Sequence, residues 1–150
     1  MSLAKHLERQ QQTLQRFVTL LEEERLVLGE GRVDGQRLEQ LARAKQELLA
    51  SLEQLERQRD SAQRALGYGE GRQGALRAAA DAGCQMQWQA LLELASQTKL
   101  LNRLNGEMIR SRLEHNQRTL NFLHEAAGKS LYGPDGQARR RSLTGLSSSA

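Results

Sequence analysis

Residues 14–55 read LQRFVTLLEEERLVLGEGRVDGQRLEQLARAKQELLASLEQL, and the spacing of the leucines in this stretch decides the fold. On its N-terminal side they belong to a seam of Leu3, Leu7, Gln10, Leu14, Phe17, Leu21, Glu24 and Leu28, with steps of four and three in alternation. Such steps are heptad a/d spacing and place the whole seam on one face of an α-helix, predicted from about Ser2 to Leu28. Gly29, Gly31 and Gly35 break the pattern, and Asp34 is placed to cap the next helix. Beyond the break, Leu38, Leu41, Lys45, Leu48, Leu52, Leu55, Arg59, Ala62 and Leu66 repeat the alternation, which predicts a second helix from about Gly35 to Leu66. If the two fold back antiparallel, facing residue numbers add to a constant. A constant of 69 pairs Leu28 with Leu41, Leu21 with Leu48, Phe17 with Leu52 and Leu14 with Leu55, and it also matches Glu24 with Lys45 and Gln10 with Arg59. The alternative is that Lys45 and Arg59 snorkel to solvent from a drifting seam.

Between Gly67 and Gly83 the composition shifts. Gly67, Gly69, Gly71, Gly74 and Gly83 each disfavour helix by about 1 kcal/mol against alanine. The segment therefore reads as a connection, with a helical turn or two at Ala75 to Ala82. A third, long helix is expected from near Cys84 to near Ala127, with Gly128 as its stop. Its apolar positions, Trp88, Leu91, Leu94, Leu101, Leu104 and Met108, then Ile109, Leu113, Leu120, Leu123 and Ala127, precess around the helix. At a rise of about 1.5 Å per residue it would be on the order of 65 Å long and outreach the other two, so its surplus needs a partner or a bend.

The expected fold is all-α: an elongated antiparallel helical hairpin plus a long third helix, a three-helix coiled-coil-like bundle over residues 1–128, with a flexible C-terminal tail over 129–150. Composition agrees. One proline, 3% aromatic residues and few β-branched residues leave little from which to build strands. Of the net charge of +4, the segment 128–150 holds +3 through Lys129, Arg139, Arg140 and Arg141 against Asp135, leaving the body at +1. A nearly neutral body with a basic tail does not read as a nucleic-acid binder, and no aromatic residues interleave the arginines to stack on bases. No apolar run of 18 or more residues exists, so no membrane insertion is expected. The N-terminus lacks a secretory pattern and Cys84 is the sole cysteine, which fits a cytoplasmic protein.

The residues that carry chemistry elsewhere are poorly arranged for it here. His115 and His124 stand nine positions apart, on different helical faces, and Cys84 brings no second thiolate, so no metal site is expected. Gly67-Tyr68-Gly69-Glu70-Gly71 has neither the Lys-Ser/Thr nor the preceding strand of a phosphate loop. Glu22, Glu23 and Glu24 point about 100° apart on a helix and do not converge. Neither a catalytic centre nor a cofactor is expected. Asn102, Asn105 and Gly106 interrupt the third helix with poor helix formers, either as a kink or polar notch in packing or as a patch where another chain approaches the backbone.

Two stretches together resemble the FlgN family of flagellar export chaperones. One is Leu20 to Leu66, above all Lys45-Gln46-Glu47-Leu48-Leu49 with Leu52, Leu55 and Arg59. The more specific one is Asn102-Arg103-Leu104-Asn105-Gly106-Glu107-Met108-Ile109, followed by Leu120, Leu123 and Leu131-Tyr132-Gly133-Pro134-Asp135-Gly136. The resemblance spans nearly the whole chain and is weakest through 67–85 and after Gln137. It implies a non-enzymatic protein that binds the hook–filament junction proteins FlgK and FlgL before export. It also implies that the C-terminal region receives these clients and that a tyrosine there, Tyr132, docks on the export gate protein FlhA. A client helix would lie along Leu113, Leu120, Leu123 and Ala127, with Leu131, Tyr132, Leu143 and Leu146 folding onto it. The other readings are that Leu113, Leu120 and Leu123 are core, or that the chain is a self-associating structural coiled coil.

Overall fold

The computed structural model describes residues 2–131, with side chains through residue 128. It contains four helices, α1 (Leu3–Leu28), α2 (Gly35–Ala65), α3 (Gly71–Asp81) and α4 (Gln85–Leu131), and no strand among the described residues. The chain divides into two units, Met1–Glu107 and Met108–Ala150, so the division falls inside α4. The expected tail over 129–150 lies outside the described residues, except for the end of α4.

In the first unit α1 is the buried element. Seven of its eight seam positions, Leu7, Gln10, Leu14, Phe17, Leu21, Glu24 and Leu28, are buried, joined by His6, Val18 and Leu20. The Ser2 hydroxyl caps it by accepting from the Lys5 amide at 3.3 Å. Asp34 caps α2 as its position suggested, accepting from the Arg37 amide at 3.1 Å. Side chains join α1 to α2 at Glu24 with Lys45, Gln10 with Glu56, and His6 with the Leu55 carbonyl, so the loop end of α1 meets the start of α2 and its first turns meet the later part. Glu24 and Lys45 meet as the register of 69 requires, but Gln10 with Glu56 falls three positions short of it and His6 with Leu55 eight, so the expected register is not kept toward the start of α1. Gln10 and Arg59 meet through an intermediary, since both donate to Glu56 Oε2, at 3.1 and 3.3 Å.

The seam of α2 shows the same spacing with far less burial: only Leu41 is fully covered, Leu48, Leu52 and Leu55 are half-buried, and Leu66 is exposed. The physical reason is position. α1 is covered by α2 on one side and by the first turns of α4 on the other, where Trp88 and Leu91 join Leu7 and Leu14 in one cluster with Ala75, Ala79 and Cys84. α2 packs along α1, but it meets α3 and α4 mainly through Gln63, Arg59 and Lys45, polar side chains that leave its own leucines partly open.

Residues 67–83 differ from expectation. Instead of a mere connection they hold a helix of 11 residues, which makes four helices and not three. The glycines are turn formers that bracket it: Gly67, Gly69, Gly71 and Gly83 have positive φ, which costs glycine nothing. Gly74 acts differently, by close approach. A Cβ there would stand 2.5 Å from the Tyr68 carbonyl oxygen and 2.6 Å from Gln63 Nε2. The buried Gln63 amide donates to the carbonyls of Gly69 and Gly71 at 2.9 and 3.3 Å, so this side chain pins the turn into α3. The last helix also differs, running without interruption through Asn102–Gly106 and past Gly128 to Leu131.

Candidate functional site

Two features of α4 bear on function, one in each unit. In the first, α4 meets α1 and α2 in a polar junction. Asn105, 1% exposed, donates its Nδ2 to the Leu21 carbonyl at 2.9 Å and to Glu24 Oε1 at 3.0 Å. Lys45 Nζ donates to the same carboxylate oxygen at 2.9 Å and to Asn102 Oδ1 at 3.2 Å. The Glu24 side chain is only 4% exposed, so its charge is tolerated because one ammonium and one amide are held against it. Asn105 Oδ1 is left without a protein partner. Asn105 is thus a polar notch in packing, turned inward on the chain's own helices, while Asn102, Arg103, Leu104 and Gly106 are exposed and Gly106 meets nothing at the Cβ position.

The seam that α4 presents in this unit was not evident from apolarity. Its buried positions are Trp88 and Leu91 but also Thr98 and Asn105, while Leu100 and Leu104 are exposed. Leu91, Thr98 and Asn105 recur every seven residues, and that interval, followed through polar residues, is the signal that locates the seam.

In the second unit, Leu113, Leu120 and Leu123 are 63%, 51% and 56% exposed, so they are not core in the described structure. Their steps of seven and three, continued by four to half-buried Ala127, put all four on one face of α4. Ile109 extends that face by one turn, and Phe122, which falls outside the leucine spacing, is 67% exposed on another. Along the helix, Gln117 donates to Asn121 at 3.0 Å and the Thr119 hydroxyl to the His115 carbonyl at 3.0 Å. Leu131 closes α4, but its side chain lies outside the described residues, as do Tyr132, Leu143 and Leu146. Among the described residues no group of three or more His, Cys, Asp or Glu is arranged to hold a metal, and no helix is long and apolar enough to cross a membrane. Cys84 is a buried free thiol in the α1–α4 cluster.

These features define an all-helical protein whose conspicuous surface is an apolar helix face and whose polar residues hold helices in register. The chain matches the family described as FlgN protein over residues 1–140. It is 32% identical over 143 residues to the flagella synthesis protein FlgN of Yersinia enterocolitica, covering 95% of this chain and 93% of that relative. It is 31% identical over 135 residues to the flagella synthesis protein FlgN of Salmonella typhimurium, covering 90% and 89%, and 26% identical to that of Escherichia coli, covering 90% and 88%. The chain belongs to the FlgN family. No solved structure matches it.

Proposed function

We propose that this protein is a cytoplasmic, non-enzymatic export chaperone in flagellum assembly, which shields the terminal amphipathic helices of FlgK- and FlgL-type hook–filament junction proteins and presents them to the export gate. The observation that carries the reading is the apolar face of Leu113, Leu120 and Leu123, all exposed, with half-buried Ala127 in line with them. An apolar stripe on a helix is stabilising only when covered, by about 25 cal/mol for each Å² removed from water. A client helix laid along the stripe is the helix-in-groove mode of recognition. In this reading α1 and α2 form an antiparallel hairpin that, with the first part of α4, is the scaffold. Leu131, Tyr132, Leu143 and Leu146 close over the client, and Tyr132 engages FlhA. Family membership and relatives that carry the description flagella synthesis protein support the assignment.

The test is titration calorimetry of the full chain with C-terminal segments of FlgK and FlgL. Binding near one-to-one is expected, lost both in a chain ending at Gly128 and in the Leu120→Glu/Leu123→Glu double variant. A self-associating coiled coil is the competing reading, because the same stripe would suit a second copy. It predicts a concentration-dependent oligomer in sedimentation that the double variant dissolves, with no binding to either segment.

A further inference from the structure

The net charge of the chain is unevenly placed. Residues 1–107 carry 15 Lys and Arg against 15 Asp and Glu, whereas residues 108–150 carry 7 against 3, so the whole of the +4 lies in the second unit. Within α4 the charge is also sided. At about 100° per residue, Ile109, Leu113, Asn116, Leu120, Leu123 and Ala127 lie within roughly 40° of one line along the helix. Exposed Arg110, Gln117 and His124 border this stripe on one side, and Arg112 and Thr119 on the other. Arg112 is half-buried and already has a partner. Arg110 forms none of the ion pairs of the described residues.

The acids are elsewhere. Glu114 and Glu125 fall roughly 140–160° from the middle of the stripe, on the opposite face, where Arg118 stands one turn on from Glu114. Among the described residues 108–128, no carboxylate borders the stripe. The sequence after Gly128 adds Lys129, Arg139, Arg140 and Arg141 against Asp135, the same sign again.

A basic amphipathic helix also suits an anionic bilayer surface. Two features favour a protein helix instead. Asn116 interrupts the stripe, which carries no aromatic side chain. Phe122, the one Phe, Tyr or Trp of 108–128, lies about 140° away and would face away from a bilayer.

We propose that the partner received on this face is an acidic amphipathic α-helix of another protein, its apolar stripe bordered by aspartate and glutamate, with one carboxylate paired to Arg110. This rests on the reading of the face as a client surface, and it adds how a client is told from other amphipathic helices. Lysine or arginine at the border of an incoming helix meets like charge and is rejected.

Three designed helical peptides share one leucine stripe and differ only at its borders, which carry glutamate, glutamine or lysine. Each bears an uncharged dye and is titrated into the full chain by fluorescence anisotropy. The glutamate peptide is expected to bind roughly three- to tenfold tighter than the lysine peptide at about 50 mM salt, with the glutamine peptide between them. At about 0.5 M salt the spread should shrink to within about twofold. Leu120→Glu/Leu123→Glu abolishes binding of all three. Arg110→Glu lowers the glutamate preference by about twofold or more, whereas Arg118→Glu, the same change of net charge on the opposite face, leaves it intact. Circular dichroism confirms that the variants fold. The proposal alone is overturned, and the client surface stands, if the glutamate and lysine peptides bind that face equally or if Arg118→Glu acts as strongly as Arg110→Glu. Absence of binding by all three up to about 1 mM, or binding indifferent to the double variant, overturns the client surface and the proposal together. Vesicles of phosphatidylcholine and phosphatidylglycerol that displace the glutamate peptide, and fail to bind the double variant, would make the occupant a lipid surface and overturn the proposal as well.

Discussion

Asn105 is worth more to this fold than any leucine near it on α4. Leu104 beside it is 42% exposed, whereas the Asn105 amide joins a backbone carbonyl of α1 to a buried carboxylate. Asn105→Ala removes both bonds and leaves Glu24 with Lys45 alone. The expected loss is about 1–3 kcal/mol of unfolding free energy by urea titration, against about 0.5 kcal/mol or less for Asn102→Ala at an exposed position. Gly106 predicts the reverse. It sits inside a helix with open space where a Cβ would go, so Gly106→Ala should stabilise the chain by about 0.5–1 kcal/mol in the same experiment. The sequence offered two meanings for this run, a notch in packing and an approach site for another chain. Residue types alone do not choose, because an amide bonds equally well to its own chain or to another.

Among the elements, α1 and α2 were legible because heptad spacing is periodic, and the same count that placed Leu7, Leu14 and Leu21 placed Gln10 and Glu24 inside with them. The helix α3 was not legible. Five glycines in 67–83 sum to a poor helix, and only the backbone shows that most of them turn the chain outside α3. Gly71 opens α3 and Gly74 lies inside it, and Gly74 gives a sharp expectation. Gly74→Ala drives a methyl group into the Tyr68 carbonyl, which cannot retreat as a side chain can. It should cost about 1–3 kcal/mol and weaken α3 protection in hydrogen exchange. The same corner titrates. The Tyr68 hydroxyl donates to Asp81 Oδ2 at 2.7 Å, and this bond, with some desolvation and the carboxylate charge, raises the phenol above its ordinary 10.0. The folded state therefore holds this proton more tightly than the unfolded chain does. Its contribution is whole below pH 10 and is lost as pH rises through the folded value. Alkaline titration of the melting temperature should show a steeper fall for the native chain than for Tyr68→Phe.

For the molecule as a whole, burial separates what folds the chain from what is left for others. Leu113, Leu120 and Leu123 read in sequence as either core or contact surface, since a stripe that precesses along one helix does not say which turns are covered. Their exposure implies that Leu120→Glu/Leu123→Glu changes unfolding free energy by no more than about 0.5 kcal/mol, and the proposed function adds that it removes client binding; a loss of several kcal/mol would return these residues to the core. The register of α1 on α2 has a further consequence, in time. Asn105 finds the Leu21 carbonyl across 84 positions of sequence, whereas Lys45 reaches Glu24 across 21. On the ribosome, α1 and α2 are free to pair while α4 does not yet exist. At about 5–20 residues per second, the face of α1 destined for Trp88 and Asn105 waits several seconds for them. During that interval the apolar flank of α1 that α4 later covers has no partner from α4. Whatever occupies that flank first, whether a folding factor, a neighbouring nascent chain or the delayed α4, sets the yield of native protein.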